Sequence, residues 1–374
     1  NTIASFPPAL NEASVSLQDI FEGTPEPMVS AVIANYMVDL PWLLQECPAL
    51  GRVPHLVVLH GEREGSAPQE LMQMAAAARR REGLATVLRA PPLPIPFGTH
   101  HSKFALLFGD NFVRVAIFSA NFLFIDWHEK SQGVFVQDFP RGQEASEFGG
   151  ALRMYLRASG VDLDSELMGY DFRTAVCQLV ASVPGKFKPA EANNWGHVRL
   201  RRLLSNAGGQ GPAVCQFSSM GSLTREWLKE FAVSCGGASD LQMMVPTPSQ
   251  VRDSIGGWAA GRSIPVTAKN RDKQVWHGWY RWPTEGRGEA MPHIKTYCQP
   301  AADGSLAWVV MGSHNLSRAA WGEHLKSGLF QVRSYELSVL FRPDAAKAAI
   351  ERMGFSVQGS LQPGPSSGIW VPLP

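Results

Sequence analysis

The sequence predicts an α/β (α+β) protein of two similar domains, each with a mixed β-sheet flanked by helices. Three observations support this architecture. Short apolar runs of strand length alternate with helical segments through both halves of the chain. A His-x-Lys pattern that is followed by an Asn 18–20 residues after the Lys occurs once in each half, as His101 with Lys103 and as His293 with Lys295. Between them, residues 180–196 are rich in Pro, Gly, Lys and Asn, a composition typical of a linker.

The length of 374 residues also favours two domains, because single hydrophobic cores rarely grow this large. We place the boundary near Pro184, which gives an N-terminal domain over residues 1–183 and a C-terminal domain over 184–374. The two His-x-Lys patterns then begin at similar offsets within their halves. Because the halves share no other obvious identity, the duplication is inferred from motif order alone.

In the first half, apolar spacing and turn residues predict most of the elements. Residues 29–47 have apolar residues at helical spacing before Pro41 and stay amphipathic after it. Residues 67–83 are rich in strong helix formers and end at a glycine. The turn Gly109-Asp110-Asn111 predicts a hairpin. The predicted order is a helical segment over 29–47, a strand at 55–61, a helix at 67–83, a strand at 85–91, a hairpin across 102–121, a strand at 133–139 and a helix at 144–160.

The second half repeats this style. A strand running into Asn315 precedes a helix start, as expected where an apolar run ends in small polar residues. The predicted order is a strand and turn at 214–223, a helix at 224–232, a strand ending in prolines at 241–249, the second His-x-Lys within 287–300, a strand and helix start across 305–322, and a strand at 335–343.

The composition is that of a folded protein, with 45% hydrophobic and 18% charged residues. The net charge is +1, so any basic surface for nucleic acid must be local.

The five cysteines are scattered without a CxxC pair, which argues against a disulfide framework or structural zinc and favours a reducing compartment. Apolar runs are shorter than the roughly 18–20 residues that span a bilayer. The first residue is Asn1, so we expect that a tail carrying any targeting signal has been removed.

The His-x-Lys patterns have a chemical interpretation. In a strand, residues i and i+2 share a face, so His101 is grouped with Lys103, and His100 points away to pack or hydrogen-bond. His293 and Lys295 form the second pair, and an Asn follows each Lys at nearly the same distance (Asn121 and Asn315). A cation, an amide and an imidazole without a carboxylate suit a bound phosphate.

Two imidazoles at one phosphate can divide the chemistry between them. One attacks phosphorus as a neutral nucleophile; the other donates a proton to the leaving oxygen and later takes one from water. The residues alone do not say which of the two attacks. Two lysines supply the charge that a magnesium ion supplies elsewhere, so we predict no metal and no cofactor. A zinc site at His100-His101 lacks further ligands at standard spacing, and the GxSxG pattern of serine hydrolases is absent.

These motifs resemble the phospholipase D superfamily, whose members place one His-Lys motif in each of two halves around a single active site. The resemblance implies a phospholipase D-like fold with pseudo-two-fold symmetry. Most members carry an Asp five residues after the Lys, where this sequence has Phe108 and Pro300. That departure argues against the lipid-cleaving branch and is similar to the tyrosyl-DNA phosphodiesterase branch. The stretches that resemble this branch are PFGTHHSK (96–103), DWHEKSQG (126–133), NNWGHVRLRRLL (193–204), QFSSMGSL (216–223), MPHIKTY (291–297), NLSRAAWG (315–322) and SYELSVLF (334–341).

The resemblance implies a role for each catalytic candidate. His101 would be the nucleophile that forms a covalent phosphohistidine with the DNA 3′ end, and His293 the general acid and base. Gln132 and Glu336 would hydrogen-bond the far ring nitrogens; the alternative for Glu336 is a surface carboxylate at a strand end. The residues that would hold the phosphate oxygens are Lys103, Lys295, Asn121 and Asn315.

The resemblance also implies DNA contacts. Phe97 would stack on a base, with a core position as the alternative. The loop 218–222 offers hydroxyls and backbone amides to phosphate. The candidate DNA-contacting residues there and beyond are Ser219, Gly221, Ser222 and Ser317. Trp370 is expected to pack rather than to cap the peptide. The basic clusters are Arg79–Arg81, expected to be a solvated helix end, and Arg199, Arg201 and Arg202, which face either DNA or solvent.

The implied function is DNA repair. The enzyme would hydrolyse the 3′-phosphotyrosyl bond between DNA and a topoisomerase I-derived peptide, and other 3′ adducts, as a nuclear monomer with mitochondria as a second compartment. Its partners would be a DNA 3′ end, single-stranded or at a nick or duplex end, and the tyrosyl peptide, with no membrane. Two alternatives stay open: a phospholipase D-type lipid phosphodiesterase and a non-catalytic DNA-end-binding protein.

Overall fold

The computed structural model describes residues 1–12, 14–61, 72–73, 75–77, 85–143, 145–207, 209–261, 279–282, 286–344 and 346. Its strands are β1 (Ser30–Asn35), β2 (His55–His60), β3 (Ala85–Arg89), β4 (Phe104–Phe108), β5 (Phe112–Phe118), β6 (Lys130–Ser131), β7 (Val134–Pro140), β8 (Gln178–Ser182), β9 (Gly185–Phe187), β10 (Ala213–Gln216), β11 (Leu241–Val245), β12 (Trp279–Arg281), β13 (Met291–Pro292), β14 (Thr296–Pro300), β15 (Leu306–Gly312), β16 (Glu323–His324), β17 (Phe330–Val332) and β18 (Glu336–Phe341).

A short 3₁₀ helix, Pro8–Asn11, lies near the start of the chain. The α-helices are α1 (Leu17–Phe21), α2 (Leu40–Glu46), α3 (Pro48–Gly51), α4 (Phe124–His128), α5 (Glu147–Ala158), α6 (Asp164–Leu167), α7 (Pro189–Ala192), α8 (Gly196–Leu203), α9 (Arg225–Ser234), α10 (Pro248–Arg252), α11 (Gly257–Ala260) and α12 (Arg318–Trp321).

The two large sheets repeat one strand order. The first runs β3-β2-β1-β4-β5-β7, and the second runs β12-β11-β10-β14-β15-β18-β8. In the first, β1, β2 and β3 are parallel, and the pairs from β1 through β4 and β5 to β7 are antiparallel. The second sheet repeats the same orientations from β12 to β18. This shared order supports the duplication that the motif order predicts.

The sheets also bear on the predicted domain boundary. Strand β8 precedes Pro184, yet it pairs antiparallel with β18 at the edge of the second sheet. Residues 178–182 therefore belong structurally with the C-terminal half, on the other side of the predicted limit. The boundary near Pro184 stays a prediction, and this pairing favours a limit before β8.

Most predicted elements are confirmed, with one clear error. The segment 29–47, predicted as helical throughout, forms strand β1 and then helix α2. Strand β1 lies between β2 and β4 with its residues buried, so both of its faces are apolar. A short apolar run of this kind carries no period that separates strand from helix. The helix predicted at 67–83 lies mostly outside the described residues; 72–73 and 75–77 are helical.

A shared hydrophobic core joins the halves. It contains side chains from β4, β5 and β7 of the first sheet and from β8 and β18 of the second, with helix α5 packed among them. Separate cores cover the outer faces of the two sheets. Because the central core draws on both sheets, the relative position of the two halves is fixed by apolar packing, which brings their matching ends together.

Two further observations concern the chain as a whole. All five cysteines carry free thiols. Within the part of the chain that the structure describes, no helix is both long enough and apolar enough to cross a membrane.

Arg114 is a buried cation in the middle of strand β5, only 7% exposed. Its guanidinium forms a bidentate pair with Asp138 on β7, at 2.6 and 2.7 Å. It also donates to the carbonyl oxygens of Ile20 at 2.9 Å and Gly23 at 2.8 Å, at the end of α1. The side chain therefore holds the N-terminal helix against the first sheet.

We predict that Arg114→Ala lowers the free energy of unfolding by about 3 kcal/mol, because it leaves a carboxylate and two carbonyl oxygens without their donor. The matched control is Arg252→Ala. Arg252 forms the same two-point contact with Asp253, at 2.6 and 2.8 Å, on an exposed helix end. Chemical denaturation should show little change for the control, and equal losses for both variants would contradict this account.

Candidate active site

The two His-x-Lys segments occupy matching places in the two sheets. Residues 101–103 lie directly before β4, and residues 293–295 lie directly before β14. Neither segment is part of a strand, which corrects the expectation that strand geometry groups each His with its Lys. Instead, each lysine side chain folds back to its own histidine: Nζ of Lys103 donates to the carbonyl oxygen of His101 at 2.9 Å, and Nζ of Lys295 donates to that of His293.

The backbone at each histidine pairs with the opposite half, whereas the carbonyl oxygens of Lys103 and Lys295 accept from Phe118 at 3.1 Å and Gly312 at 3.4 Å within their own sheets. The His101 amide donates to the carbonyl oxygen of Tyr335 at 3.0 Å, and the Tyr335 amide donates to Thr99 at 2.9 Å. In the matching place, the His293 amide donates to Ser131 at 2.9 Å, and β13 pairs with β6. These contacts draw both histidines out of their sheets and into the interface between the halves.

The ring partners of the histidines are exchanged between the halves. Nδ1 of His101 lies 2.9 Å from Oε2 of Glu336, which begins β18. Nδ1 of His293 lies 3.2 Å from Oε1 of Gln132, which follows β6. Glu336 is 3% exposed, so the alternative of a surface carboxylate is wrong. The structure therefore brings together both pairs that the resemblance implied, His101 with Glu336 and His293 with Gln132.

Hydrogen bonds fix which ring nitrogen each histidine presents. The hydroxyl of Ser119 donates to Oε1 of Gln132 at 2.7 Å, and Nε2 of Gln132 donates to the carbonyl oxygen of Asp126 at 2.9 Å. The Gln132 oxygen therefore accepts the Nδ1 proton of His293, and Nε2 is left for chemistry. The Glu336 carboxylate accepts from Nδ1 of His101 in the same way, so both rings offer Nε2.

The pocket is rich in buried positive charge. Lys103 and Lys295 are 0% and 1% exposed. Burial lowers the pKa of the Lys103 ammonium to about 8, and burial together with the charge of Lys103 lowers the pKa of Lys295 well below its usual range. Two cations that repel each other in a dry pocket create a site for an anion.

Both histidines are biased toward the neutral ring. Burial lowers the pKa of His101, while the Glu336 carboxylate opposes the shift. Burial and the charge of Lys295 lower the pKa of His293 well below its usual range, against the opposing effect of Asp126. A bound anion would raise both pKa values again, so the protonation of the rings is coupled to occupancy of the pocket.

The two asparagines are anchored differently. Oδ1 of Asn315 accepts from the amides of Ser218 at 3.2 Å and Ser219 at 3.0 Å, which turns its NH₂ group the other way. The backbone amide and Nδ2 of Asn121 both donate to Oδ2 of Asp126 at 2.8 Å. In both cases the amide is held in place by groups outside the pocket, and an N–H remains available as a donor.

Phe97 and three of the predicted DNA-contacting residues, Gly221, Ser222 and Ser317, line one cleft of about 270 Å³, whereas Ser219 is not among its walls. Its walls are Phe97, Gly221, Ser222, Ser317, Arg318, Ala319, Glu323 and Arg333. Phe97 is 84% exposed and has a φ of 62°, a left-handed conformation that is unusual outside glycine. The alternative of a core phenylalanine is therefore wrong. Strained, exposed aromatic residues of this kind are typical of ligand-contacting positions.

The backbone amides near this cleft have other partners. The amides of Ser218 and Ser219 donate to Asn315, and the Gly221 amide donates to the carbonyl oxygen of Leu316 at 3.0 Å. These three amides are therefore engaged within the protein, as is the hydroxyl of Ser218, which donates to Oδ1 of Asn315 at 3.2 Å. The phosphate contacts of the loop stay a prediction, for which the hydroxyls of Ser219 and Ser222 are candidates. A Cβ on Gly221 would lie 3.0 Å from Cβ of Ser317, so a glycine permits this close approach.

Comparison with known proteins identifies the family. The family model for tyrosyl-DNA phosphodiesterase matches residues 1–367. The chain belongs to the tyrosyl-DNA phosphodiesterase family. It is 37% identical over 385 residues to tyrosyl-DNA phosphodiesterase 1 of Arabidopsis thaliana, covering 92% of this chain and 62% of that protein. It is 30% identical over 375 residues to the Drosophila melanogaster protein of the same name, covering 88% of this chain and 63% of that protein. The chain thus spans less than two thirds of either relative.

A solved structure shows the same fold. The crystal structure of yeast tyrosyl-DNA phosphodiesterase superimposes with a TM-score of 0.69 at 20% identity, covering 90% of this chain and 87% of that one. This likeness confirms the predicted phospholipase D-like architecture of two mixed sheets flanked by helices.

Two residues of this family member were missed by the sequence analysis. Asp126 is 1% exposed, lies 2.8 Å from Nζ of Lys130 and has Oδ2 3.7 Å from Nδ1 of His293. Burial opposes ionisation, yet the charges of His293 and Lys130 hold the pKa of Asp126 well below its usual range. The spacing of Asp126 and Lys130 within DWHEKSQG was a usable signal. Tyr36, whose ring centroid lies 5.5 Å from that of His101, had no signal in the sequence that could have identified it.

The remaining candidates lie elsewhere. Arg199 is 2% exposed and pairs with Glu147 at 2.6 Å, so it faces neither DNA nor solvent; Arg201 and Arg202 are exposed. The ring of His100 packs 5.5 Å from that of Tyr335, as predicted. Residues 79–81 and Trp370 lie outside the described residues.

We predict that sulfate, whose charge stays constant in this range, binds the pocket more weakly as pH rises. The Lys103 pKa of about 8 means that its ammonium is charged at neutral pH and increasingly neutral above that value. Above the Lys103 pKa, calorimetry should show the Kd for sulfate rising by up to about tenfold per pH unit for each proton lost. Lys103→Met should bind less tightly and with a shallower slope, whereas a Kd independent of pH would contradict the assignment.

Proposed function

We propose that this chain is a DNA-repair phosphodiesterase that removes tyrosyl peptides of topoisomerase I from DNA 3′ ends. The observation that carries the proposal is the pair of imidazoles at one interface, each offering Nε2 beside two buried lysines. Family membership indicates the substrate class, because the relatives are named for the tyrosyl-DNA bond.

In the first step, the Nε2 lone pair of His101 attacks the phosphorus atom. The bond from phosphorus to the tyrosine oxygen breaks, and His293 gives its Nε2 proton to that oxygen. The products are a free tyrosyl peptide and a phosphohistidine at the DNA 3′ end. In the second step, His293 takes a proton from water, the water oxygen attacks phosphorus, and the phosphorus–nitrogen bond breaks. The DNA leaves with a 3′-phosphate, and His101 is regenerated.

The ring partners support this division of roles. A phosphorylated imidazole carries positive charge, and the Glu336 carboxylate at 2.9 Å from His101 stabilises such a charge as it forms. Gln132 is neutral and fixes the orientation of His293 without holding it in one charge state. His293 must change protonation between the steps, which suits an amide partner.

The charge on the phosphate would be met by side chains alone. Lys103 and Lys295 place two ammonium groups in the pocket, and Asn121 and Asn315 add amide donors. Oxyanion stabilisation by fixed donors in a dry site is strong, because nothing has to reorganise as charge develops. The proposed reaction therefore needs no metal ion and no cofactor.

The cleft beside Phe97 would hold the DNA strand. An exposed ring offers a stacking surface to an unpaired base, and serine hydroxyls and Arg318 can contact backbone phosphates. We also propose that the enzyme acts as a monomer in the nucleus, with mitochondria as a second compartment. Size-exclusion chromatography with light scattering, and fractionation of cells making the full-length protein, would test these two points.

The function is tested with a single-stranded oligonucleotide that ends in 3′-phosphotyrosine. We predict conversion to the 3′-phosphate in the presence of a chelator, seen as a mobility shift on a denaturing gel. His101→Ala is the matched control and should be inactive. Folded protein that converts no substrate would contradict the proposal; choline release from phosphatidylcholine vesicles would then favour a lipid phosphodiesterase, and binding without turnover a DNA-end-binding protein.

In the same assay, His293→Asn should accumulate a covalent protein–DNA species. The first step can still proceed, because tyrosine is a tolerable leaving group, whereas the second step lacks its base. The adduct is detected by denaturing electrophoresis with labelled DNA, and His101→Asn should form none. Loss of cleavage with no trapped adduct in His293→Asn would speak against the assigned roles.

We further predict that Phe97→Ala raises KM for single-stranded substrate about tenfold with little change in kcat, because base stacking contributes about 1–3 kcal/mol. Phe97→Tyr keeps the ring and the backbone conformation, so its KM should stay near the parent value. Steady-state kinetics on oligonucleotides of increasing length would check this. An equal fall in kcat for both variants would indicate a structural role for the ring.

A further inference from the structure

Two histidines and a glutamate converge in the C-terminal half, among residues to which the reaction assigns no role. They are His197 on α8, Glu230 on α9 and His324 on β16. One nitrogen of each ring and a carboxylate oxygen all lie within 4.8 Å of one another. The three residues are widely separated in the chain, so no sequence spacing indicates the cluster.

The buried member, His197, has its lone pair directed at a carboxylate. Its Nδ1 lies 2.9 Å from the hydroxyl of Ser234, and that hydroxyl donates to the carbonyl oxygen of Glu230 at 3.2 Å. In the tautomer that keeps both hydrogen bonds, the hydroxyl oxygen accepts the Nδ1 proton and the lone pair lies on Nε2.

This Nε2 atom is unusual for a buried nitrogen. His197 is 0% exposed, and among the described residues Nε2 has no hydrogen-bond partner. It lies 3.4 Å from Oε1 of Glu230. A lone pair that faces a carboxylate oxygen at this distance is repelled unless a cation lies between them.

The separation of His197 from Glu230 fits zinc, whereas the exposed His324 ring contacts Glu230 directly and has to move back to admit an ion. Ligand atoms at about 2.0–2.1 Å from a tetrahedral zinc ion are roughly 3.3 Å apart, close to the observed separation of His197 and Glu230. Nδ1 of His324 contacts the same Glu230 oxygen, and the His324 side chain is 42% exposed, so this ring can adjust and the site is open to solvent. Two imidazoles and one carboxylate are a common zinc donor set that leaves a fourth position for water.

The surroundings are those of a supported metal site. Ser234 fixes the tautomer of His197, as a hydrogen-bond acceptor does for metal-bound histidines. The Phe330 ring lies 5.0 Å from that of His197 and 5.1 Å from that of His324, so an apolar wall flanks both ligands.

We propose that His197, Glu230 and His324 form a zinc-binding site that ties α8 and α9 to strand β16. The site acts on the DNA cleft through a neighbouring residue. Glu323, adjacent to His324, accepts from Arg318 at 2.9 Å and from Arg333 at 3.2 Å, and all three line the cleft. Zinc on His324 therefore restrains β16 and the two guanidinium groups of the cleft wall.

The test is a zinc titration of tag-free protein from which metal has been removed by a chelator and the chelator by dialysis. Calorimetry should give one zinc per chain, and the melting temperature should rise with added zinc. Cobalt in place of zinc should give the absorption bands of a four-coordinate site. His324→Ala, at an exposed position that tolerates truncation, should weaken zinc binding by more than about a hundredfold, and Ser234→Ala by about tenfold.

Two further variants make the test specific. Glu230→Gln keeps the shape of the side chain, removes its charge and should lose the site. His128→Ala is the matched control: His128 lies 3.3 Å from Glu46 in a pair of the same kind, outside any three-ligand cluster of the described residues, and this variant should keep full zinc affinity. Substoichiometric zinc, or unchanged affinity in His324→Ala and Glu230→Gln, would overturn the proposal. Cleavage in chelator is a separate readout, because the zinc ligands are not groups of the reaction.

Discussion

Each of the two imidazoles at the interface is oriented by a side chain of the opposite half, and the rest of the site depends on this exchange. Glu336 of the second sheet holds His101, and Gln132 of the first half holds His293. Neither half contains a complete set, so the site exists only where the two sheets share a core. The apolar packing of that core therefore acts directly on the position of the reacting atoms, for which misplacement by an ångström is costly.

Within this symmetric frame, matching positions carry different chemistry. Ser119 and Ser313 lie at equivalent strand ends, where their amides donate to Gly133 and Leu337 respectively. The residues that precede these two acceptors are Gln132 and Glu336, an amide and a carboxylate. A symmetric pocket would give both histidines the same proton affinity. The difference between an amide and a carboxylate gives the two rings different proton affinities, which is what the proposed two-step transfer requires.

The sequence predicts features that depend on neighbouring residues, such as turns and apolar runs. It gives no signal for contacts that form only when distant parts of the chain fold together. Turn residues and apolar runs located the hairpin that follows the first His-x-Lys and the strand that ends before Asn315, because these signals are local. Strand β1 was misassigned because both of its faces are buried, so its sequence lacks the alternation of apolar and polar residues that indicates a strand. Glu336 and Gln132 were reached only through the family resemblance, since each acts on a histidine far away in the chain. Tyr36 and the cluster around Glu230 had no sequence signal, because only the tertiary fold brings their partners together.

The net charge of +1 shows how a chain without an overall basic character can still select a phosphate. Surface cations attract phosphate weakly, because water and salt screen them. Lys103 and Lys295 are instead both buried, and burial is the main cause of the lowered pKa of both ammonium groups. The charge of Lys103 disfavours that of Lys295, and a bound phosphate would offset this repulsion and raise both pKa values. The fold thus confines the charge to one pocket, which is what the proposed metal-free reaction requires of the two lysines.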